Sequence, residues 1–181
     1  MQSSNCIPKE SKPTRVFLGL GSNMGDREHN LQTALQALSQ KIELVKVSSL
    51  YDTAPVGNTL QERFLNMACA AATALPPIAL LAFVKQIEQK LGRRPRPVNS
   101  PRPIDIDILF YGDLIINTPG LVIPHTRLTE RAFVLAPLNE IAPRFIHPVT
   151  KQTVSLLYKT LKIDPGDAVK LQNIRGVLCT K

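Results

Sequence analysis

Two aspartates in the segment IDIDILFY, Asp105 and Asp107, are the residues of this chain best suited to chemistry. Strand side chains alternate between two faces, so a strand over Ile104–Tyr111 would project both carboxylates from one face and the isoleucines from the other. Two carboxylates at this spacing reach a common divalent cation, and oxygen ligands favour magnesium over zinc. An isolated pair of this kind is more often the solvent-facing side of a strand, so its surroundings must decide.

The segment before this strand, GRRPRPVNSPRP, is rich in proline and arginine. Proline lacks the amide donor that regular structure requires, so the segment should be a loop. Arginines that hold phosphate oxygens, beside carboxylates that hold a metal, are the combination that phosphoryl transfer requires. The same side chains could instead form a solvated basic loop or one that binds RNA. The arginines concerned are Arg93, Arg94, Arg96 and Arg102.

Other candidate residues are less distinctive on their own. His125, in IPH, is either a structural histidine or a partner for phosphate oxygens, and the nearby Arg131 favours the second interpretation. By residue type alone, Phe64 and Phe133 belong in a core, and Asn66 belongs at a turn or strand end. The GLGSN segment lacks the spacing of a P-loop or of a dinucleotide-binding loop, so we interpret it as a tight turn beside the site.

Hydrophobic periodicity predicts the elements that position these residues. Apolar runs bounded by glycine, proline or polar residues predict strands, and apolar residues at helical spacing predict helices. The segment DTAPVGNTLQER, between two predicted strands, is a loop that could cover a ligand. The predicted strands are Val16–Asn23 with its turn, Ile42–Tyr51, Phe64–Thr73, Ile104–Tyr111 and Leu114–Ile116. The short last strand is predicted to pair with Ile104–Tyr111. The predicted helices carry Leu31–Leu38, Leu80–Leu91 and Ala132–Ala142.

The order of these elements predicts an α+β fold. Strand, helix, strand, strand, helix, strand is the order of a ferredoxin-like βαββαβ sandwich, with helices packed on one face of a mainly antiparallel sheet. Residues 1–14 are polar and show no periodicity, so we expect a disordered N-terminal extension. The domain is then expected over residues 15–150. Residues 151–181 are expected to form a C-terminal extension that docks on the same domain with a strand or a helix.

Composition narrows the class of protein. The 181 residues suffice for one sizeable core, and the formal charge of +8 attracts nucleotides, nucleic acids or anionic membranes. No apolar run approaches the ~20 residues of a membrane span, and no secretory signal is present, so we expect a cytoplasmic protein. The three widely spaced cysteines indicate neither a zinc cluster nor a disulfide framework.

Six segments together resemble one known family. GLGSNMGDREHNL, SSLYDTAPVG, FLNMA, SPRPIDIDILFYG, IPH and ERAFVLAPLNEIAP occur in this order. Over roughly Val16–Pro143 the chain resembles 6-hydroxymethyl-7,8-dihydropterin pyrophosphokinase. The resemblance implies transfer of pyrophosphate from ATP to the pterin hydroxymethyl group in folate biosynthesis, giving AMP and the dihydropterin diphosphate. It also implies two magnesium ions and a ferredoxin-like fold.

The same resemblance implies the partners and the site residues. The partners are the small molecules ATP and dihydropterin, with no nucleic acid and no membrane, and a monomer is favoured. The site residues fall into four groups by motif position. The resemblance gives the magnesium ligands as Asp105 and Asp107 and the phosphate-contacting arginines as Arg93 and Arg102. It places on the nucleotide side Glu88, Arg96, His125 and Arg131. It places around the pterin Thr53, Val56, Phe64, Asn66 and Phe133.

One departure and one rival class accompany this interpretation. Family members often carry a tryptophan just before PRxxDxD, whereas this chain has none and shows Val98, Asn99 and Ser100 there. An aromatic lid from this loop is therefore not implied. The rival is a basic ferredoxin-like RNA-binding module, which would stack bases on aromatic side chains. Only 5% of residues are aromatic, and this argues against it.

Overall fold

The structure is a computed structural model that describes residues 12–55, 61–95, 97, 100–162 and 167–171. Two predicted site residues, Val56 and Arg96, lie outside the described residues, as do residues 1–11 of the predicted N-terminal extension. In chain order, the strands and helices are β1 (Thr14–Ser22), α1 (Arg27–Leu38), β2 (Glu43–Val47), β3 (Tyr51–Thr53), β4 (Phe64–Thr73), α2 (Pro77–Lys90), β5 (Asp105–Tyr111), β6 (Ile116–Thr118), β7 (Leu121–Ile123), α3 (Ala132–Ile141), α4 (Val154–Thr160) and β8 (Ala168–Lys170).

The main sheet is antiparallel, as the element order predicts. Its strands run in the order β5-β1-β4-β3-β8, and β2 pairs with β4 beside β3. The long strands β1 and β4 pair from Thr14↔Thr73 to Ser22↔Leu65 and form the centre. On the other side of β1, Gly21 and Gly19 face Asp105 and Asp107 of β5. The α+β class with helices packed on an antiparallel sheet is therefore confirmed.

Helices cover both faces of this sheet, and the prediction that they pack on one face is wrong. One apolar cluster joins α1 and α2 to residues such as Leu18 and Met67, and a second joins α3 and α4 to Phe17 and Phe110. The physical reason lies in β4, which is buried along nearly its whole length. A strand that is apolar on both sides needs a helix layer on each.

Strand β5 alternates as predicted. Ile104, Ile106 and Ile108 belong to the cluster under α1 and α2. Asp105 and Asp107 point to the opposite face, where they are partly buried. The alternation thus places two carboxylates on the α3 side of the sheet, at the end of β5 that the arginine-rich segment enters.

The predicted strand at Leu114–Ile116 is displaced and pairs differently. Gly112 takes a φ of 51°, and Leu114 N–H donates back to the Tyr111 carbonyl, so the chain turns away after β5. Leu114 is exposed, and the strand forms as β6, which pairs with β7 in a separate two-stranded sheet. The predicted pairing with β5 is therefore wrong.

The segment from residue 151 onward contributes a helix and a strand. Val154 and Leu157 of α4 are buried in the cluster under α3. Strand β8 pairs antiparallel with β3 at the sheet edge. Among the helices of the described ranges, none has the length and apolar character needed to cross a membrane.

Candidate functional site

Three strands bring the polar residues of the site into one row. Gly21 of β1 lies between Asn66 of β4 and Asp105 of β5 in the strand register. A Cβ on Gly21 would stand 2.4 Å from Asn66 Oδ1, so only glycine leaves space for the amide to lie across β1. The GLG segment is therefore the floor of the site, because its bare backbone lets side chains from both neighbouring strands approach each other.

A first cavity opens above this floor between β4 and α3. Asn66 Nδ2 donates to Thr53 Oγ1 at 2.6 Å, and both residues are buried. Phe64 and Phe133 contribute the aromatic walls. Four of the five residues predicted around the pterin thus meet in one cavity, while Val56 is outside the described residues. The predicted site residues that line the first cavity are Thr53, Phe64, Asn66, Phe133, Arg102, Asp105, Asp107 and Arg131.

A second cavity lies on the far side of the aspartates and is strongly basic. It adjoins the first, since Arg102, Arg131, Asp105 and Asp107 line both. The structure therefore brings together the predicted acids and four predicted basic residues, leaving Arg96 outside the described residues. The charged residues that line the second cavity are Lys85, Arg93, Arg94, Arg102, His125 and Arg131, with Asp105 and Asp107.

Ion pairs hold two of the arginines against Asp105. Arg93 Nη1 contacts Asp105 Oδ1, and Arg102 Nε lies 2.8 Å from Asp105 Oδ2. The Arg102 guanidinium also lies 5.2 Å from the centre of the Phe64 ring, within cation–π range. Arg102 therefore touches both an aromatic wall of the first cavity and a carboxylate shared with the second.

Glu88 lies beneath the site and lines neither cavity. It is 2% exposed, and its Oε1 accepts from Ile106 N–H at 2.7 Å and from Lys85 Nζ at 2.9 Å. The same oxygen forms an ion pair with Arg93. Burial raises the pKa of Glu88 despite the opposing charge of Lys85. Glu88 was predicted on the nucleotide side, and the structure shows it holding Arg93 and Lys85 in place from below.

The two aspartates differ in their electrostatic surroundings. Burial alone would raise the pKa of Asp105, but the charges of Arg102 and Arg93 lower it overall. Burial and then the charge of Asp105 raise the pKa of Asp107. Among the described residues, none donates a hydrogen bond to the Asp107 carboxylate. Two adjacent carboxylates, one of them without a donor, fit a bound divalent cation that would complete its shell with water and phosphate oxygens.

His125 and Arg131 complete the basic wall. His125 Nδ1 accepts from Arg127 N–H at 3.3 Å, and burial lowers the His125 pKa despite the opposing charge of Asp107. A neutral imidazole whose Nδ1 accepts carries its proton on Nε2 and can donate to an anion there. The Arg131 guanidinium lies 5.4 Å from the Phe133 ring centre, and its buried Nε finds no hydrogen-bond partner among the described residues. Both residues can still donate to a ligand.

Sequence reasoning missed two residues that organise this site. Asn23 is 2% exposed and links three segments: Nδ2 donates to Gln61 Oε1 at 3.0 Å, and Oδ1 accepts from Arg102 N–H at 2.8 Å. The GSN turn was interpreted only as lying beside the site, although asparagine in such a turn often bonds to backbone. Lys85 of α2 is not among the residues that the sequence predicts for the site. Its signal was the spacing of three residues to Glu88, which places both on one helix face.

Comparisons with known proteins decide the family. The family model for 7,8-dihydro-6-hydroxymethylpterin-pyrophosphokinase (HPPK) matches residues 17–143. The chain belongs to the HPPK family. Among its HPPK relatives, the 2-amino-4-hydroxy-6-hydroxymethyldihydropteridine pyrophosphokinase of Bacillus subtilis is 47% identical over 128 residues, which are 70% of this chain and 77% of that protein. The Aquifex aeolicus protein of the same name is 42% identical over 137 residues, 76% of this chain and 86% of its own length.

Other HPPK relatives are much longer than this chain. The mitochondrial folate synthesis bifunctional protein of Arabidopsis thaliana is 45% identical over 165 residues, 91% of this chain but 29% of that protein. The chain thus spans about a quarter of the length of these longer relatives. Among solved structures, wild-type HPPK-DHPS of Plasmodium falciparum with pterin and p-hydroxybenzoate gives a TM-score of 0.68 at 20% identity, covering 84% of this chain and 42% of that one. At that identity the likeness shows the fold.

Proposed function

We propose that this protein transfers pyrophosphate from ATP to the hydroxymethyl group of 6-hydroxymethyl-7,8-dihydropterin, releasing AMP and the dihydropterin diphosphate. One observation carries this proposal. An aromatic and amide-bearing cavity meets a basic cavity at Asp105 and Asp107, which line both. An acceptor in the first cavity and a triphosphate in the second would therefore meet beside two carboxylates. Family membership supports the same reaction.

The first cavity has the chemistry of a pterin site. Phe64 and Phe133 present faces between which a flat bicyclic ring can stack. Asn66 and Thr53 offer an amide and a hydroxyl for the hydrogen-bonding edge of the ring. The backbone of Thr53 and of Val56 would serve the same edge. Because Thr53, Phe64 and Asn66 are buried, water would be excluded from the acceptor once the ring is in place.

The second cavity has the chemistry of a triphosphate site. Arg93 and Arg102 are anchored by Asp105, so both guanidinium groups are held at the point where the cavities meet. Arg131 and His125 would donate to the ATP phosphates from the opposite wall, with Arg96 as a further contact. Positioned donors of this kind stabilise charge that develops on the transferred group, and such positioning is the main catalytic contribution of the protein in phosphoryl transfer.

Asp105 and Asp107 are proposed to hold magnesium, with two ions as the family resemblance implies. Magnesium supplies charge neutralisation and alignment of donor and acceptor oxygens when it is bound. Burial and the charge of Asp105 raise the pKa of Asp107, and within the described ranges no group donates a hydrogen bond to its carboxylate. Both observations support a carboxylate that a bound cation would stabilise. Neither aspartate is required to act as a general base.

The order β5-β1-β4-β3, with all neighbours antiparallel, supports the ferredoxin-like topology. We expect a monomer, which sedimentation can test. A cytoplasmic location is expected as well, although plant relatives are named mitochondrial, and it can be tested by fractionation.

The decisive assay follows the nucleotide product. Purified protein incubated with ATP, magnesium and 6-hydroxymethyl-7,8-dihydropterin should form AMP in equal amount to the dihydropterin diphosphate. Formation of AMP identifies attack at the β-phosphorus, whereas transfer of one phosphoryl group would give ADP. Production of ADP, or no nucleotide turnover, would refute the proposal.

A further inference from the structure

The carboxylate of Glu140, near the end of α3, is bound to the chain that enters β3. Glu140 Oε1 accepts from Ser49 Oγ and Oε2 accepts from Tyr51 Oη, each at 2.8 Å. Ser49 N–H lies 3.3 Å from both oxygens. Burial alone would raise the pKa of Glu140, but these hydrogen bonds lower it overall, so the group is ionised at neutral pH. None of these contacts has a part in the proposed chemistry.

A third element reaches the same carboxylate from the C-terminal side. Strand β8 pairs antiparallel with β3, and Leu171 N–H donates to the Leu50 carbonyl at 2.8 Å. Lys170 of β8 places Nζ 3.4 Å from Glu140 Oε1. The Glu140 carboxylate therefore joins α3, β3 and β8 at one point.

Two of the elements joined there each carry a residue that lines the first cavity. Phe133 stands at the beginning of α3, and Thr53 ends β3, where it is bonded to Asn66. Phe133 and Glu140 are two turns apart on the same helix, about 10 Å along its axis. A helix fixed at one end by hydrogen bonds and an ion pair has a restricted tilt, so the position of Phe133 depends on what holds Glu140.

We propose that Glu140 and Lys170 form a positioning clamp that sets the separation between Phe133 and Thr53 and thereby the affinity for dihydropterin. This inference rests on the proposed pterin site. Neither residue touches the substrate, since neither lines the cavities, and both act through α3 and β3. The C-terminal strand β8 thus contributes to acceptor binding, although it lies apart from the triphosphate site.

The test separates acceptor binding from nucleotide binding in the full chain. Lys170→Ala and Glu140→Gln are titrated with 6-hydroxymethyl-7,8-dihydropterin and, separately, with magnesium and a non-hydrolysable ATP analogue. Dihydropterin affinity should fall about three- to fivefold in each variant, the size expected for a partly exposed ion pair, while nucleotide affinity stays unchanged. Lys170→Arg keeps the charge and should restore dihydropterin affinity. Lys159→Ala, an exposed lysine of α4, is the matched control and should change neither.

Each remaining outcome counts against the clamp. Unchanged dihydropterin affinity in both variants would overturn it. Equal losses of dihydropterin and nucleotide affinity, together with a lower free energy of unfolding, would also overturn it, because general loosening of the fold gives that pattern. A wild-type protein that binds no dihydropterin would refute the proposed function itself, and the clamp with it.

Discussion

Replacing each site aspartate by asparagine should change the stability of the metal-free protein in opposite directions. Asp105 forms ion pairs with Arg93 and Arg102, whereas Asp107 has no such partner among the described residues and faces the charge of Asp105. Asparagine keeps the shape of the side chain, removes its charge and replaces one acceptor oxygen by an NH2 donor. Asp105→Asn therefore deletes mainly attraction. Asp107→Asn removes a charge for which burial and the repulsion by Asp105 outweigh the attraction of nearby cationic groups.

The magnitudes follow from the strand geometry. Side chains two residues apart on one face of a strand are separated by about 7 Å, which gives a repulsion of roughly 0.6 kcal/mol in water and about 2.4 kcal/mol at an effective dielectric constant near 20. Asp107→Asn should thus stabilise the metal-free protein by about 0.5 to 2 kcal/mol. The arginine contacts of Asp105 are much shorter, so their loss outweighs the relief of repulsion. Since the two arginine side chains are 31% and 26% exposed, a net loss of about 1 to 2 kcal/mol is expected for Asp105→Asn.

Urea unfolding in the presence of a chelator measures these changes, and AMP formation measures the second expected effect. Both variants should lose turnover by orders of magnitude, because each removes charge that would hold magnesium. Asp113→Asn, at an exposed turn after β5, is the matched control and should alter neither quantity appreciably. Equal stability changes in the two site variants, or near-normal AMP formation by the double variant, would refute this reasoning.

Three further predictions test separate parts of the structure. Gly21→Ala should weaken dihydropterin binding about tenfold or more, because the added Cβ would stand 2.4 Å from Asn66 Oδ1 and displace the amide. Calorimetric titration measures the affinity, and an unchanged affinity contradicts the prediction. Glu88→Gln should weaken nucleotide binding by roughly fivefold while sparing dihydropterin binding, because the charge that holds Arg93 is lost; parallel titrations of the two ligands decide. Burial lowers the pKa of His147, so the stability that the neutral imidazole contributes is complete above its ordinary pKa near 6.5 and is lost as the pH falls through the lowered pKa. His147→Gln should therefore reduce the drop in unfolding free energy between about pH 7.5 and about pH 5. Equal drops in variant and wild type would exclude this role.

The parts of the fold that the sequence predicts are those with local signals. Strand β4 begins and ends where predicted, and the alternation in β5 places Asp105 and Asp107 on one face. The second face of the sheet was missed because a strand buried on both sides has no alternation to show which layers cover it. The pairing of β6 was also missed, since two short apolar strands separated by a turn do not reveal which neighbour they choose.

For the site as well, the sequence predicts features carried by local motifs and does not predict contacts between segments far apart in the chain. Motif order alone predicts residues that the structure brings together around two adjoining cavities. What it does not predict is which residues support the others. Asn23 and Glu88 act through hydrogen bonds to segments far along the chain, and such contacts leave no periodic trace. For the same reason Asp105 and Asp107 look equivalent in the sequence, although among the described residues arginines form ion pairs with Asp105 and not with Asp107.

Arg102 lines both cavities and connects them. Its guanidinium lies over Phe64, which lines the first cavity, and pairs with Asp105, a proposed magnesium ligand. Asn23 holds the Arg102 backbone through both its side chain and its own N–H, which donates to the Arg102 carbonyl at 3.2 Å. A ligand that stacks on Phe64 and a cation that binds Asp105 would therefore compete for, or jointly reorient, the same side chain. Linkage is reciprocal. If a bound acceptor changes nucleotide affinity through Arg102 by some factor, a bound nucleotide must therefore change acceptor affinity by the same factor.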